Sequence, residues 1–247
     1  MDKLIYTAMS GAKATMSRQA SVANNLANVS TTGFRAEMNR LRAVPVQSEA
    51  LPSRAHVVEA TLGADMRAGA IMQTGRSLDM AIQGEGWFAV RAADGSEAYT
   101  RDGSFTVDAN GMLRTRSGLE VLDDGGNPIT LPPDNSIELG GDGTLTATPR
   151  DGTLNAANPV ARLKLVNPDP ATMQRRDDGL FRTAGNQPAA ADDNVKALGG
   201  ALEGSNVSMV DQMVQMISLQ RHYEMHTKLL QTAQEDDRAA TQILSRT

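Results

Sequence analysis

Between Leu4 and Val29, the positions Ile5, Ala8, Ala12, Thr15, Gln19, Val22, Leu26 and Val29 recur in alternating steps of three and four. That spacing puts them on one face of an α-helix. Met9, Met16 and Ala23 lie seven apart and widen the face. Such a helix would be roughly 39 Å long, and Gly33, after Ser30, Thr31 and Thr32, predicts its stop. A second seam opens near the other end, where Ser208 predicts an N-cap with Asp211 at the third helical position. From there Met209, Met213, Met216, Gln220, Tyr223, Thr227, Leu230, Gln234, Asp237, Thr241 and Leu244 step by four and three. Polar residues at Gln220, Thr227, Gln234 and Asp237 dilute this seam, so the helix needs partner helices. Both seams are weak alone, which predicts loose ends around a folded centre in the free subunit.

The middle has another rhythm. Asp94-Gly95, Asp102-Gly103, Asn110-Gly111, Ser117-Gly118 and Gly125-Gly126 recur every seven or eight residues, with short stretches such as Glu97–Arg101, Ser104–Asp108 and Met112–Thr115 between them. Turn dipeptides at that interval predict successive β-hairpins. Leu78–Ile82, Gly86–Arg91, Ile137–Leu139, Thr144–Ala147 and Ala161–Val166 add strand candidates. The expected fold is α+β, with N- and C-terminal helices forming a coiled-coil-like pair that flanks a central, mainly antiparallel β domain. Its parts are an N-terminal helix over 1–35, an extended linker over 36–76, a β-rich domain over 77–200 and a C-terminal helix over 201–247.

Composition narrows the function classes. The 247 residues include 22 Gly, 10 Pro, no Cys and 40% hydrophobic residues, a globular composition. Without Cys there are no disulfides, thiol nucleophiles or Cys-based zinc sites. A net charge of -5 gives no electrostatic reason for binding nucleic acid or an anionic membrane. No apolar run is long enough to span a bilayer, and polar residues interrupt the start before any signal-peptide core forms.

Several constellations invite chemistry and fail on spacing. Gly84-x-Gly86-x-x-Ala89 meets a relaxed dinucleotide fingerprint, but Trp87–Val90 reads as a strand where a helix must begin. The Asp-Gly dipeptides, including Asp124-Gly125, Asp142-Gly143, Asp151-Gly152 and Asp178-Gly179, lack the ligand spacing of a calcium loop and read as turns. His222 and His226 lie one helical turn apart, yet Tyr223 stands where a metalloprotease needs Glu, and no third ligand is in view. Asp123 and Asp124, or Asp177 and Asp178, are adjacent, whereas the paired carboxylates of a glycosidase flank a bond from separate supports. No catalytic, metal or cofactor residue is expected.

Three stretches carry a resemblance. They are Ala23–Phe34, then Thr74–Phe88 with Tyr99–Phe105, and Leu202-Glu-Gly-Ser-Asn-Val207 continuing through Met213, Ile217, Arg221, Tyr223-Glu224 and Lys228. Together they resemble the bacterial flagellar rod and hook family, in the right order over nearly the whole chain. The opening Met1–Ala12 and the length are most similar to the proximal-rod kind, with the distal-rod kind as the alternative. Two departures stand out: Trp87 replaces the family's usual Phe or other apolar residue, and Gln234–Asp237 replaces an Asp-Glu-Met pattern of distal-rod and hook relatives.

The resemblance implies a structural subunit exported unfolded by the flagellar type III apparatus, without a cleaved signal peptide. It implies helical assembly, with copies of itself and other rod proteins, into the periplasmic rod of the basal body, where torque passes from motor to hook. The terminal helices would pair in the tube's inner layer with the β domain outside, with no nucleic-acid partner and no membrane insertion. The assembly interface so implied comprises Ile5, Ala8, Ala12, Thr15, Val22, Asn24, Asn25, Leu26, Asn28 and Phe34 at one end. At the other it comprises Leu202, Glu203, Ser205, Asn206, Val207, Met209, Met213, Met216, Ile217, Arg221, Tyr223, Glu224 and Lys228. Asn24, Asn25 and Asn28 are candidates for hydrogen bonds between helices or for a solvated helix end. A periplasmic wall hydrolase and a carbohydrate-binding module are the alternatives from other classes; the first lacks an acid/base pair, the second leaves two long helices unexplained.

Overall fold

In the computed structural model, which describes residues 2–45, 55–132, 135–149 and 158–244, the first seam forms helix α1, Asp2–Ala27. Two antiparallel strands follow, β1 (Glu37–Pro45) and β2 (Ala55–Ala64), with a register shift between Arg40 and Leu41. They are the extended chain of the 36–76 segment, paired into a hairpin. Strand β3 (Ile71–Gln73) comes next, then β4 (Met80–Gln83), β5 (Trp87–Arg91), β6 (Glu97–Thr100), β7 (Phe105–Val107), β8 (Leu113–Thr115) and β9 (Glu120–Val121). After these come β10 (Asn135–Leu139), β11 (Thr144–Pro149), β12 (Asn158–Arg162), β13 (Leu165–Val166), β14 (Met173–Arg175) and β15 (Phe181–Thr183). Strands β16 (Lys196–Gly199) and β17 (Ala201–Glu203) precede the long helix α2, Met209–Leu244.

The chain divides into two units, each with its own packing. The first takes the described residues of 1–29, 37–65 and 207–247, that is α1, the β1–β2 hairpin and α2. Helix α1 packs against α2 along the expected face: Ala8, Thr15 and Val22 are buried, and Gly11, Ala12, Gln19 and Leu26 are half-buried. Small residues let the axes approach, and a Cβ on Gly11 would fall 2.7 Å from the His226 ring. Met9, Met16 and Ala23, expected to widen the face, are exposed instead. The adjoining flank is polar because it meets the hairpin: Ser21 Oγ donates to Asn39 Oδ1 at 3.1 Å, and Asn39 Nδ2 donates to the Ser17 carbonyl at 3.4 Å.

Helix α2 begins where Ser208 predicts, with the Asp211 N–H donating to Ser208 Oγ at 3.4 Å. Its covered stripe runs Gln212, Met216, Leu219, Tyr223, His226, Leu230 and Ala233, again in steps of four and three. Met216, Tyr223 and Leu230 belong to the expected seam, but the alternate positions sit one residue earlier. Leu219 and Ala233 are buried where Gln220 and Gln234 are exposed. The reason is hydrophobic: shifting that phase buries Leu and Ala and returns two amides to water. Thr227 is half-buried, whereas Met209 and Met213, which set the expected phase, lie exposed. The side chains of Ile5, Asp237, Thr241 and Leu244 lie outside the described residues, as does Asp151-Gly152.

The second unit, the described residues of 30–36 and 66–206, is the β-rich part. Its main sheet runs β14-β15-β6-β5-β9-β8-β7, with β13 also pairing β5, and each of these neighbour pairs is antiparallel. A three-stranded sheet β10-β11-β12 and the pairs β16-β4 and β17-β3 complete it. Phe88, Phe105, Leu113, Val121, Ile129, Leu145, Leu163 and Leu165 share one core, with Phe88 and Phe105 edge to face at 5.3 Å. Strand β5 reads as continuous Trp-Phe-Ala-Val because all four side chains are buried.

The turn rhythm is real, with one change. Gly95, Gly111, Gly118 and Gly126 take left-handed φ near +80°, whereas Gly103 does not. Gly103 lies where a Cβ would be 1.8 Å from the Met80 carbonyl oxygen, so backbone approach rather than a turn requires it. Gly84 and Gly86, both with positive φ, join β4 to β5 as a turn. The Asp residues cap their own turns: Asp94, Asp108 and Asp142 accept from the N–H two residues on, at 2.9, 2.8 and 3.0 Å. Those carboxyls lie below the usual range, led by donation from the Ser96 hydroxyl, the Met112 N–H and the Thr144 N–H respectively.

Candidate functional site

Helix α1 ends at Ala27, six residues before Gly33, so Gly33 is not the stop that its position predicts. It has another task. Its φ is +66°, its N–H donates to the Glu203 carbonyl at 2.8 Å, and a Cβ would lie 2.3 Å from the Arg101 carbonyl carbon. The segment that leaves α1 thus runs against the one that leads into α2. The Asn206 N–H donates to the Phe34 carbonyl at 3.2 Å, and Asn206 Oδ1 accepts from the Ala36 N–H at 2.7 Å. Asn206 Nδ2 donates to the Arg67 carbonyl at 2.9 Å, and the Arg175 guanidinium lies 4.5 Å from the Phe34 ring centre.

At the centre of this junction Glu203 holds two guanidiniums. Its Oε1 accepts from Arg35 Nη1 at 2.6 Å and from the Gly69 N–H at 2.8 Å, and its Oε2 accepts from Arg101 Nη1 at 2.9 Å. The side chains are 0% (Arg35), 4% (Arg101) and 1% (Glu203) exposed. Arg35 Nη1 also donates to the Arg67 carbonyl at 2.8 Å, and Arg101 Nη2 to the Gly84 carbonyl at 2.7 Å. Two cations and one anion leave a surplus positive charge, and the Trp87 ring stands beside both guanidinium carbons, at 5.8 Å from Arg35 and 5.3 Å from Arg101. Its π face offsets part of that surplus. Burial first, and Arg35 second, pull Arg101 below its ordinary value against the attraction of Glu203; a guanidinium still keeps its proton. Sealed from water, this cluster positions backbone and presents no group to a substrate.

Most of the implied interface residues fall into three groups. Ala8, Thr15, Val22, Met216 and Tyr223, with half-buried Ala12 and Leu26, line the packing between α1 and α2. Thr15 Oγ1 donates to the Gly11 carbonyl at 2.9 Å. Phe34, Glu203 and Asn206 belong to the junction, where Leu202 pairs with Met72 in the β17–β3 ladder and Ser205 is half-buried. Val207 is buried in the other unit, at the foot of α2. Exposed are Met209, Met213, Ile217, Arg221, Glu224 and Lys228.

Within the chain, the asparagines tie the end of α1 to the start of β1 and close the helix end. Asn25 Oδ1 accepts from the Glu37 N–H at 2.7 Å and its Nδ2 donates to the Glu37 carbonyl at 3.0 Å, so one side-chain amide acts as a strand neighbour to the first residue of β1. Asn24 Nδ2 reaches Glu37 Oε2 at 2.7 Å, and Asn28 Nδ2 turns back to the Asn24 carbonyl at 2.9 Å. His222 and His226 do not share an environment: His222 is exposed and His226 is half-buried against Gly11. Arg35, Arg101 and Trp87 escape the sequence reading, because their partnership spans residues 35 to 203 and only an Arg after Gly-Phe and a Glu before Gly-Ser-Asn hint at it.

An uncovered apolar stripe is the other feature of α2. Met209, Val210, Met213, Val214 and Ile217 are 46 to 70% exposed over its first turns, and Tyr6, Met9 and Met16 are exposed on α1.

Three family profiles match the chain in order. They are "Flagella basal body rod protein" over residues 5–35, "Flagellar hook protein FlgE/F/G D1 domain" over 81–147 and "Flagellar basal body rod FlgEFG protein C-terminal" over 198–243. The flagellar basal-body rod proteins FlgF of Salmonella typhimurium and of Escherichia coli are each 45% identical to it over 99% of both chains. The rod protein FlgG of Borreliella burgdorferi is 34% identical over 94% of this chain and 95% of its own. With both helices, the β region between them and the junction inside the matched span, the chain belongs to the family of flagellar basal-body rod proteins.

Proposed function

We propose that this chain is a structural subunit of the proximal rod of the bacterial flagellar basal body and transmits torque from motor to hook. The observation that carries the reading is the apolar stripe Met209, Val210, Met213, Val214 and Ile217, which its own chain leaves in water. A helix stripe of that size calls for another helix, and copies of the same chain and other rod proteins offer one. The terminal helices α1 and α2 pair as a coiled-coil-like element in the inner layer of a helical tube. The chain reaches the periplasm through the flagellar type III export apparatus. It is not an enzyme: its buried charges are locked in ion pairs and its turn carboxylates cap backbone. Identity of 45% to the FlgF of Salmonella typhimurium and of Escherichia coli, against 34% to the FlgG of Borreliella burgdorferi, favours the proximal over the distal rod.

Lys at Ile217 tests this. Ile217 is 56% exposed, so Ile217→Lys leaves thermal unfolding of the purified chain within about 0.5 kcal/mol, while in cells the chain disappears from isolated basal bodies. Normal recovery there, with normal export, overturns assembly through this stripe.

A further inference from the structure

The chain has 13 Met and no Cys, so thioethers are its most readily oxidised groups. The fold sorts them. Met80 is fully buried and Met173 nearly so, whereas Met9, Met16, Met38, Met72 and Met225, like Met209 and Met213, are 43 to 56% exposed. Met209 and Met213 differ from the other exposed methionines in standing one helical turn apart on α2, in the uncovered stripe completed by Val210, Val214 and Ile217. We propose that Met209 and Met213 are modification sites for a two-electron oxidant of the peroxide class, and that their sulfoxide form is excluded from the rod. The consequence for assembly rests on the function proposed above; the oxidation itself does not.

The chemistry balances without any further reactant. A thioether lone pair attacks one oxygen of hydrogen peroxide, the S–O bond forms as the O–O bond breaks, and the departing hydroxide takes up the remaining proton as water. Sulfur is oxidised by two electrons and peroxide is reduced by two. The product replaces a flexible apolar side chain with a strongly polar S=O acceptor. On an exposed helix flank the oxygen is hydrated, so the free chain keeps its fold. Pressed against another subunit's apolar helix it loses that water and finds no donor. Trp87, the one indole of the chain, is buried.

The test has two arms. Purified full-length chain is treated with hydrogen peroxide, quenched with catalase at intervals and mapped by peptide mass spectrometry. Met209 and Met213 convert at least about tenfold faster than Met80; equal rates overturn the proposal. In cells, the pair Met209→Leu, Met213→Leu, which keeps the apolar volume and cannot be oxidised, is compared with Met209→Gln, Met213→Gln, whose amides stand in for sulfoxide polarity. The Leu pair enters isolated rods at the unsubstituted level and the Gln pair several-fold less, at equal export. A Gln pair that enters normally, or a Leu pair excluded to the same degree, overturns the proposal. If Ile217→Lys also enters rods normally, the assembly reading has failed; if Ile217→Lys is excluded while the Gln pair enters, this inference alone has failed.

Discussion

One carboxylate serves two guanidiniums at Glu203, and neither has room to find water instead. Glu203→Gln keeps the shape and removes the charge. It lowers the unfolding free energy of the β-rich unit by about 3–5 kcal/mol, the cost of stranding a buried ion. Adding Arg101→Met recovers part of the loss by withdrawing one stranded cation; a double variant as unstable as the sum of the single losses shows that the pair is uncoupled. Tyr99 offers a test in pH. Its O–H donates to Glu97 Oε1 at 2.9 Å and accepts from the Ala189 N–H at 2.7 Å, and Lys164 Nζ holds Glu97 Oε2 at 2.8 Å. Burial foremost, with help from Glu97, lifts the phenol well above its usual 10, against the pull of the Ala189 N–H. Below pH 10 the phenol is protonated folded and unfolded, and its contribution is fully present. As pH rises further the unfolded chain releases that proton while the folded chain keeps it, so stability falls toward the raised folded value. Denaturant titrations above about pH 10 show this decline, and Tyr99→Phe makes it shallower; an unchanged slope excludes Tyr99 as its source.

Two stripes on α2 answer to different partners. Leu219 is buried in the stripe that faces its own chain, and Ile217 lies in the one that does not. Leu219→Ala lowers the stability of the helix and hairpin unit in the purified chain by about 2–3 kcal/mol, where Ile217→Lys does not. Circular dichroism at the helix band during denaturation separates the two variants. If Leu219→Ala leaves that transition in place, the helices of the free subunit are loose and order only on assembly, as their diluted seams predict. The asparagine link belongs to this scale too, because Asn25 pins residue 37 through both its backbone groups and so starts β1 one residue after the junction.

At the scale of the molecule, the β-rich unit is not the uninterrupted stretch 77–200. Arg35, Glu203 and Asn206 lie outside those bounds and inside its hydrogen-bond network. A fragment of residues 30–206 therefore retains a cooperative β-sheet unfolding transition, whereas 36–200 loses Arg35 and β17 and leaves Arg101 buried beside Trp87 without its anion. The expected penalty is again about 3–5 kcal/mol, read by tryptophan fluorescence of Trp87. Equal midpoints for the two fragments show that the junction is decoration on an independent core.

Periodicity along the chain was enough to place both helices, the Ser208 cap and most hairpin turns, because each depends on residues within a turn or a dipeptide of one another. Leu26, Gly95 and Ser208 carry their meaning locally. The family was legible for a related reason: its motifs sit at the joints of the fold and survive as contiguous runs. Which α2 residues are covered was not legible, since Met213 and Leu219 both fit a helical spacing and only the packing of the folded unit, with His226 set against Gly11, buries Leu219 and leaves Met213 exposed. The Arg35, Glu203 and Arg101 cluster was decided by tertiary structure alone. Arg35, Arg101 and Glu203 stand far apart along the chain, and they become a buried lock only when chain segments 35, 101 and 203 close on one another and exclude the water that would otherwise have paired them.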